Sequence, residues 1–432
     1  MSASRFDPSG PLRGTLRPPA DKSISHRAAL IAAMGDGETA IEGYLDSADT
    51  RSTLAAVQAL GAGVEQAGPG VIDRGLRIRG VGLRDVASAE IDVGNAGTLL
   101  RLLPGWLAGQ ETGSWELDGD DSIRRRPVDR VVEPLRLMGA RLRCREDRLP
   151  PLRVEGAPLS GVSYELPVAS AQVKSCLLFA GLLAEGETTV VEPLPTRDHS
   201  ERMLAAAGAE IERGDGMVAV RPARRLEAGE IAVPGDFSSS AFFLVAALLV
   251  PGSEVMLEDV GLNPTRTGLL SILARMGAEV DEEPRGERGG EPLGLLRIRP
   301  AELRGTDVGG AEVPLAIDEL PLVALVACFA EGATTIRDAA ELRRKESDRI
   351  AVVAEVLNAL GGAVEPTGDG MRIEGSGGLR GGRVESHGDH RIAMLGAIAG
   401  LVSREGVEVD GMEAAAVSYP GFEADLAALL GP

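Results

Sequence analysis

A small-polar cluster, an apolar run, a glycine and a β-branched segment recur six times along the chain, and this repetition limits the possible folds more than any other feature. The copies read "SISHRAALIAAMGDGETAI", "NAGTLLRLLPGWLAGQETGSWEL", "SAQVKSCLLFAGLLAEGETTV", "SSAFFLVAALLVPGSEVML", "DELPLVALVACFAEGATTI" and "DHRIAMLGAIAGLVSREGVEV". Their glycines, Gly37, Gly113, Gly186, Gly252, Gly332 and Gly406, are spaced by 76, 73, 66, 80 and 74 residues. A second series of helical segments ending in Gly-Ala or Gly-Gly keeps the same period: "VQALGAGVE", "LRLMGARLR", "LAAAGAEIE", "LARMGAEVD" and "LNALGGAVE". Each copy predicts a helix, a glycine stop, a strand, an amphipathic helix, a glycine C-cap and another strand, so the class is α/β. A unit of about seventy residues with short strands cannot bury its apolar face alone, so the copies pack on one another. The clearest division into two lobes of three copies is "EIAVPGDFSSS", residues 230–240, where Pro234 and Gly235 punctuate the chain.

Composition sets what these lobes contain and meet. Hydrophobic residues make up 44% but aromatics only 3%, so the interior is aliphatic. The formal charge of −20 argues against nucleic acid or an anionic membrane as partner, because both require a basic face. Cys144, Cys176 and Cys328 form no metal-ligand spacing and read as thiols of a reducing compartment. The start "MSASRFDPSGPLRG" has no apolar leader, and "AFFLVAALLV" is about half the ~20 residues a membrane span needs. A cytoplasmic protein is expected.

The starts of the six apolar helices carry Lys22-Ser23-Ile24-Ser25, Asn95-Ala96-Gly97-Thr98, Ser170-Ala171-Gln172, Ser238-Ser239-Ser240, Asp318-Glu319 and Asp389-His390-Arg391. Ser, Asn and Asp are ordinary N-caps. Caps do not explain Lys and Arg, since a cation at a helix N-terminus opposes the macrodipole unless an anion lies between them. Further cations stand in "SIRRRPVDR" (Arg124, Arg125, Arg126), "PTRDHSERM" (Arg197) and "LRRKESDRI" (Lys345, Arg349), although each alone reads as a solvated face. Only Lys22, Lys174 and Lys345 are lysines, and all fall in these segments, while the other 42 basic residues are arginine. A retained lysine suggests proton transfer or a point contact to phosphate, whereas Arg126, Arg349 and Arg391 offer planar forks for carboxylate or phosphate. Asp318, otherwise an N-cap, and Glu346, otherwise an i,i+3 partner of Arg349, add a base and an acid. The implied ligand is small and multiply anionic.

The motifs "DKSISHR", "GNAGTLLRLL", "RRRPVDRV", "ASAQVKSCLL", "LNPTRTGLL", "DELP", "RRKESDRI" and "GDHRIAM" occur in one order over essentially the whole chain. In this the sequence resembles the 5-enolpyruvylshikimate-3-phosphate synthases, and "GDDSIRRRPVDRV", "TRDHSERM" and "LNPTRTG" resemble their class II subgroup. The resemblance implies a two-lobed inside-out α/β barrel, the enolpyruvyl transferase fold, with three βαβαββ units per lobe. Residues 1–20 with 237–432 would form the first lobe and 21–236 the second, with substrates in the interlobe cleft. It implies attack of the 5-hydroxyl of shikimate 3-phosphate on C2 of phosphoenolpyruvate, then loss of phosphate from a tetrahedral intermediate, without metal or organic cofactor and in a monomer.

By the same resemblance Lys22, Ser23, Arg27, Ser170, Ala171, Gln172, Arg197, Asp318 and Lys345 hold shikimate 3-phosphate. Lys22, Asn95, Gly97, Arg126, Gln172, Arg349 and Arg391 hold phosphoenolpyruvate. Asp318 acts as base on the attacking hydroxyl, and Glu346 and Lys22 handle protons at the enolpyruvyl carbon and the leaving phosphate. Gly97 implies sensitivity to glyphosate, a slightly longer occupant of the phosphoenolpyruvate site. Two positions depart from many relatives: Glu341 stands where an Asn is common, and Val417 where a Lys is common. Two rivals remain. The sister transferases acting on UDP-N-acetylglucosamine commonly carry a reactive Cys where this chain has Asp121. A non-catalytic anion-binding scaffold would gain nothing from carboxylates beside its ligand.

Overall fold

The computed structural model describes residues 3–66, 75–84 and 86–431. Residues 1, 2 and 432 of the expected first lobe, and 67–74 and 85 of the expected second, lie outside the described residues. The chain divides into two compact units. Unit one comprises Met1–Pro19, Gly235–Gly286 and Pro292–Pro432; unit two comprises Ala20–Pro234 with Glu287–Glu291. Each has its own core.

The repeat is plainest in the copy at residues 89–155. Strands Ala89–Asp92, Ser114–Asp118, Arg141–Arg145 and Leu149–Glu155 alternate with helices Gly97–Ala108 and Asp129–Leu137. The first two strands run parallel across the first helix, and the fourth, antiparallel to both neighbours, lies between the second and third. The same order recurs in the sheets built on residues 163–220 and 307–374. Three sheets are completed from a distance. Glu230–Ala232 pairs parallel with Glu38–Glu42, Arg13–Leu16 parallel with Glu254–Gly261, and Ala3–Phe6 antiparallel with Val407–Asp410. Strands of three or four residues carry no period of their own, so the repeat did not reveal them.

Both glycine series have a backbone reason. Gly37, Gly113, Gly186, Gly252, Gly332 and Gly406 have φ of 102°, 118°, 87°, 76°, 87° and 74°, between the first helix and its strand. Gly61, Gly139, Gly208, Gly277 and Gly361, after the second helix, have φ of 107°, 102°, 92°, 100° and 93°. A side chain in this region is strained, so the turn leaving each helix is written as glycine.

Helices Lys22–Met34, Gly97–Ala108 and Ala171–Gly181 of unit two, and Phe237–Leu249, Leu320–Ala327 and His390–Val402 of unit one, are buried along almost their whole length. Past their first two turns they are apolar all round, as helices enclosed by a core are. Small residues let them approach: a Cβ on Gly105 would stand 2.1 Å from the Cys176 carbonyl oxygen of the neighbouring inner helix. The strands alternate instead, as in Leu76–Arg79, where Leu76 and Ile78 are buried and Arg77 and Arg79 exposed. Each sheet therefore covers inner helices with one face and meets water with the other. Among the described residues no helix is long and apolar enough to cross a membrane.

One buried side chain joins two helices and titrates. His26, fully buried on the Lys22 helix, lies 2.6 Å through Nδ1 from Thr53 Oγ1 on helix Ala48–Ala59. Burial, opposed by Asp49 and reinforced by Lys22 and Arg27, lowers its pKa to about 3. The unfolded chain, with the ordinary value near 6.5, takes up the proton first, so stability is present above pH 6.5 and is lost as pH falls. The loss approaches about 1.4 kcal/mol per pH unit. In His26→Gln, denaturant unfolding should show a flatter decline between pH 6.5 and 4.5 than in the unsubstituted protein. Parallel declines refute this.

Candidate active site

In unit two the expected residues gather at the starts of the three inner helices. Asp21 caps the first, accepting from Ile24 N at 2.9 Å, and Lys22 Nζ stands 3.1 Å from Asp49 Oδ2. One turn on, buried Arg27 donates Nε to Ser200 Oγ at 2.8 Å, Nη2 to Ser175 Oγ at 3.0 Å and Nη1 to Ser23 O at 2.9 Å. Burial pulls its pKa down to about 10, opposed by Glu201 and assisted by Arg197, whose charge is felt here.

Ser170 caps the third inner helix through Val173 N at 3.4 Å, leaving Ala171 and Gln172 in its first turn. Gln172 Oε1 accepts from Arg101 Nη1 at 3.0 Å, and its Nε2 donates to Thr98 Oγ1 at 3.2 Å. The "RRRP" run separates by geometry. Arg124 forks onto Asp118 at the surface, Arg125 donates to Asp121 O, and the single 3₁₀ turn Ile123–Arg125 delivers Arg126 inward. Arg126 Nη2 reaches Asn95 Oδ1 at 2.9 Å and Ser122 Oγ at 3.2 Å, and Asp120 fixes Asn95 at 2.6 Å. A Cβ on Gly97 would stand 2.9 Å from Arg126 Nη1 and 3.3 Å from Arg101 Nη1.

Lys174 departs from what its rarity suggested. It is 1% exposed, with Nζ 2.7 Å from Glu201 Oε1 and 2.9 Å from Glu192 Oε2, so it neutralises carboxylates inside the unit and is closed to a ligand.

In unit one Asp318 is the hub. Its Oδ1 lies 3.1 Å from Lys345 Nζ and 3.3 Å from Arg349 Nη1, and its Oδ2 lies 3.9 Å from both Arg266 and Arg391. It does not cap the Leu320–Ala327 helix, whose N-cap is Glu319. Arg349, 1% exposed, brings every nitrogen to a carboxylate: Nε to Asp389 Oδ2 at 2.8 Å, Nη2 to Asp389 Oδ1 at 3.1 Å and Glu346 Oε2 at 2.7 Å, and Nη1 to Asp318. Burial disfavours its charge, but Asp389, Glu346 and Asp318 outweigh burial and raise its pKa. Burial likewise opposes ionisation of Asp389, and Arg349 overcomes it, holding the carboxyl below its usual range. Arg391 is less engaged: Nη1 donates to Asp318 O at 3.3 Å, and its carboxylate neighbours stand at 3.7 and 3.9 Å. Glu341, at the departing position, lies 3.9 Å from Arg344, and Val417 ends a 3₁₀ turn, Met412–Val417.

Sequence reasoning did not single out Asp49, Glu192, Glu201, Arg101 or Arg266, and it named Glu319 and Asp389 at helix starts without giving either a role. Asp389 carried a signal, because Asp21, Asp236 and Asp389 occupy the same N-cap place in three copies. In a chain with 65 acidic residues, the others look like ordinary surface charge.

Residues 6–426 match the family model "EPSP synthase (3-phosphoshikimate 1-carboxyvinyltransferase)". A 3-phosphoshikimate 1-carboxyvinyltransferase of Synechococcus sp. is 51% identical over 432 residues, covering 99% of this chain and 96% of that protein. One from Thermus thermophilus is 52% identical over 427 residues, covering 99% and 98%. The solved structure of the EPSP synthase from Acinetobacter baumannii superposes with a TM-score of 0.86 at 42% identity, covering 98% of this chain and 97% of that one. With matching motifs, fold and near-complete coverage, the chain belongs to the EPSP synthase (3-phosphoshikimate 1-carboxyvinyltransferase) family.

Proposed function

We propose that the chain transfers the enolpyruvyl group of phosphoenolpyruvate to the 5-hydroxyl of shikimate 3-phosphate, releasing phosphate, as a step of aromatic amino-acid biosynthesis. The hydroxyl oxygen adds to C2 as its own proton passes to a base and another proton goes to the methylene carbon; the tetrahedral intermediate then loses phosphate from C2 and a proton from the new methyl group. The observation carrying this reading is the Asp318 carboxylate, with Lys345 Nζ at 3.1 Å, Arg349 Nη1 at 3.3 Å and Arg391 Nη2 at 3.9 Å. Such a carboxylate can take a hydroxyl proton, while the cations attract two anionic substrates and offset charge developing on the leaving phosphate.

Arg27, Arg197, Ser23, Ser170, Ala171 and Gln172 hold shikimate 3-phosphate with Lys345 and Asp318. Arg126, Gly97, Asn95, Gln172 and Arg391 hold phosphoenolpyruvate, joined by Arg349 when it releases a carboxylate. Lys22 contacts both and, with Glu346, moves protons at the enolpyruvyl carbon and the phosphate. No metal or organic cofactor enters, and the protein works as a cytoplasmic monomer. The relatives' names leave no support for UDP-N-acetylglucosamine as acceptor, and phosphate release with each candidate acceptor tests that choice: release with the UDP-sugar and none with shikimate 3-phosphate overturns the reading.

Two substitutions probe the roles. Lys22→Arg keeps the charge facing Asp49 but loses the compact, titratable ammonium, so kcat should fall by ~10²-fold or more in a folded protein. Turnover within a few-fold of the original removes Lys22 from proton transfer. Gly97→Ala places a methyl against the Arg126 tip, a flexible end that can shift. The cost, ~1–3 kcal/mol, or roughly 5- to 150-fold in affinity, should fall more on the longer glyphosate than on substrate. The inhibition constant for glyphosate should rise more than KM for phosphoenolpyruvate. Parallel rises, or an unsubstituted enzyme indifferent to glyphosate, reject this placement.

A further inference from the structure

Behind the expected ligand residues of unit one lies a charge pair to which the proposed reaction assigns no role. Glu319 is 0% and Arg266 3% exposed, with 3.2 Å between Glu319 Oε1 and Arg266 Nη1. Ser238 Oγ joins them, donating to Glu319 Oε1 and accepting from Arg266 Nη2. Arg266 Nη2 also stands 3.6 Å from Asp236 Oδ1. The group thus draws on all three inner helices of the unit: Asp236 is the N-cap of Phe237–Leu249, Glu319 that of Leu320–Ala327, and Arg391 lies in the first turn of His390–Val402.

Stability does not account for such a pair. Drying a carboxylate and a guanidinium costs several kcal/mol each, and apolar side chains of similar volume commonly serve a core as well or better. Its neighbours are more telling. Glu319 Oε1 is 3.7 Å from Arg391 Nη1, and Arg266 Nη1 is 3.9 Å from Asp318 Oδ2. Each member faces the opposite charge of the adjacent Asp318–Arg391 pair, itself 3.9 Å apart. Glu319 therefore draws Arg391 back from Asp318, and Arg266 draws Asp318 back from Arg391. Without these attractions the two would close on each other, withdrawing a guanidinium from the phosphoenolpyruvate site and a base from the hydroxyl.

We infer that Glu319 and Arg266 are positioning residues that hold Arg391 and Asp318 apart and open to substrate. This rests on the proposed role of Arg391. Glu319→Gln keeps size and shape and removes the charge. It should raise KM for phosphoenolpyruvate about tenfold, about 1.4 kcal/mol, and lower kcat, with KM for shikimate 3-phosphate changed less than about twofold, within the scatter of distant contacts.

Because Glu319→Gln leaves Arg266 buried without its carboxylate, the deciding variant is Arg266→Met/Glu319→Leu, which removes both charges and fills the space. It should melt at or above the temperature of the unsubstituted protein yet keep the raised KM for phosphoenolpyruvate. A double variant with restored KM for phosphoenolpyruvate makes the pair merely structural and overturns the inference, as do parallel rises in both KM values in Glu319→Gln, where Arg266 still faces Asp318. Arg391→Lys separates the underlying reading. If it leaves KM for phosphoenolpyruvate unchanged, the role of Arg391 falls and the inference with it. If it raises that KM while both pair variants stay normal, only the inference fails.

Discussion

Crowding of like charge at helix N-termini is the constraint on which the candidate site depends. Lys22 and Arg126 in unit two, and Arg349 and Arg391 in unit one, stand in or beside first turns, with Arg27 one turn further on, where the helix dipole disfavours a cation. The protein answers with carboxylates, all but Glu346 buried: Asp49 for Lys22, Glu201 for Arg27 and Lys174, Asp389 and Glu346 for Arg349, Glu319 for Arg266 and Arg391. Removing one acid from such a set leaves a dry cation uncompensated, which is costlier than the pair's net contribution suggests. Each acid also fixes where a cation points. Arg349 is closed on three carboxylates, while Arg391 is held only by longer contacts.

The inner helices are built to bring those ends close. Alanine, leucine and glycine let backbone meet backbone, as at Gly105 and Cys176, and the wide apolar surface needs no polar side of its own because the sheets take the solvent face. Chemistry is therefore left to the ends of the helices and the loops before them.

Much of the fold could be read in the sequence because the repeat is anchored by residues with no substitute. A glycine required at positive φ after each helix keeps its place even where neighbouring side chains drift. Strands Ala3–Phe6, Arg13–Leu16 and Glu230–Ala232 escaped because their partners, not their own residues, make them strands. At the candidate site the cations were legible, since arginine or lysine before an apolar helix is unusual. Which of Arg124, Arg125 and Arg126 turns inward was not, because one 3₁₀ turn decides it. Nor was the enclosure of Lys174: burial depends on Glu192 and Glu201, 18 and 27 positions later.

The completed sheets also set an order of events during synthesis. Residues 20–234 carry every strand of unit two's three sheets, including Glu230–Ala232, so that unit's sheets can form once this stretch has left the ribosome. The N-terminal strands emerge first and pair last: Arg13–Leu16 waits for Glu254–Gly261, and Ala3–Phe6 for Val407–Asp410, with an entire unit made in between. Closing so long a loop has an entropic cost that grows only slowly with length, but the wait leaves two strand edges unpaired in a nascent chain. The charged and turn-forming residues of "RFDPSGPLRG" suit a segment that must stay soluble until its partners exist.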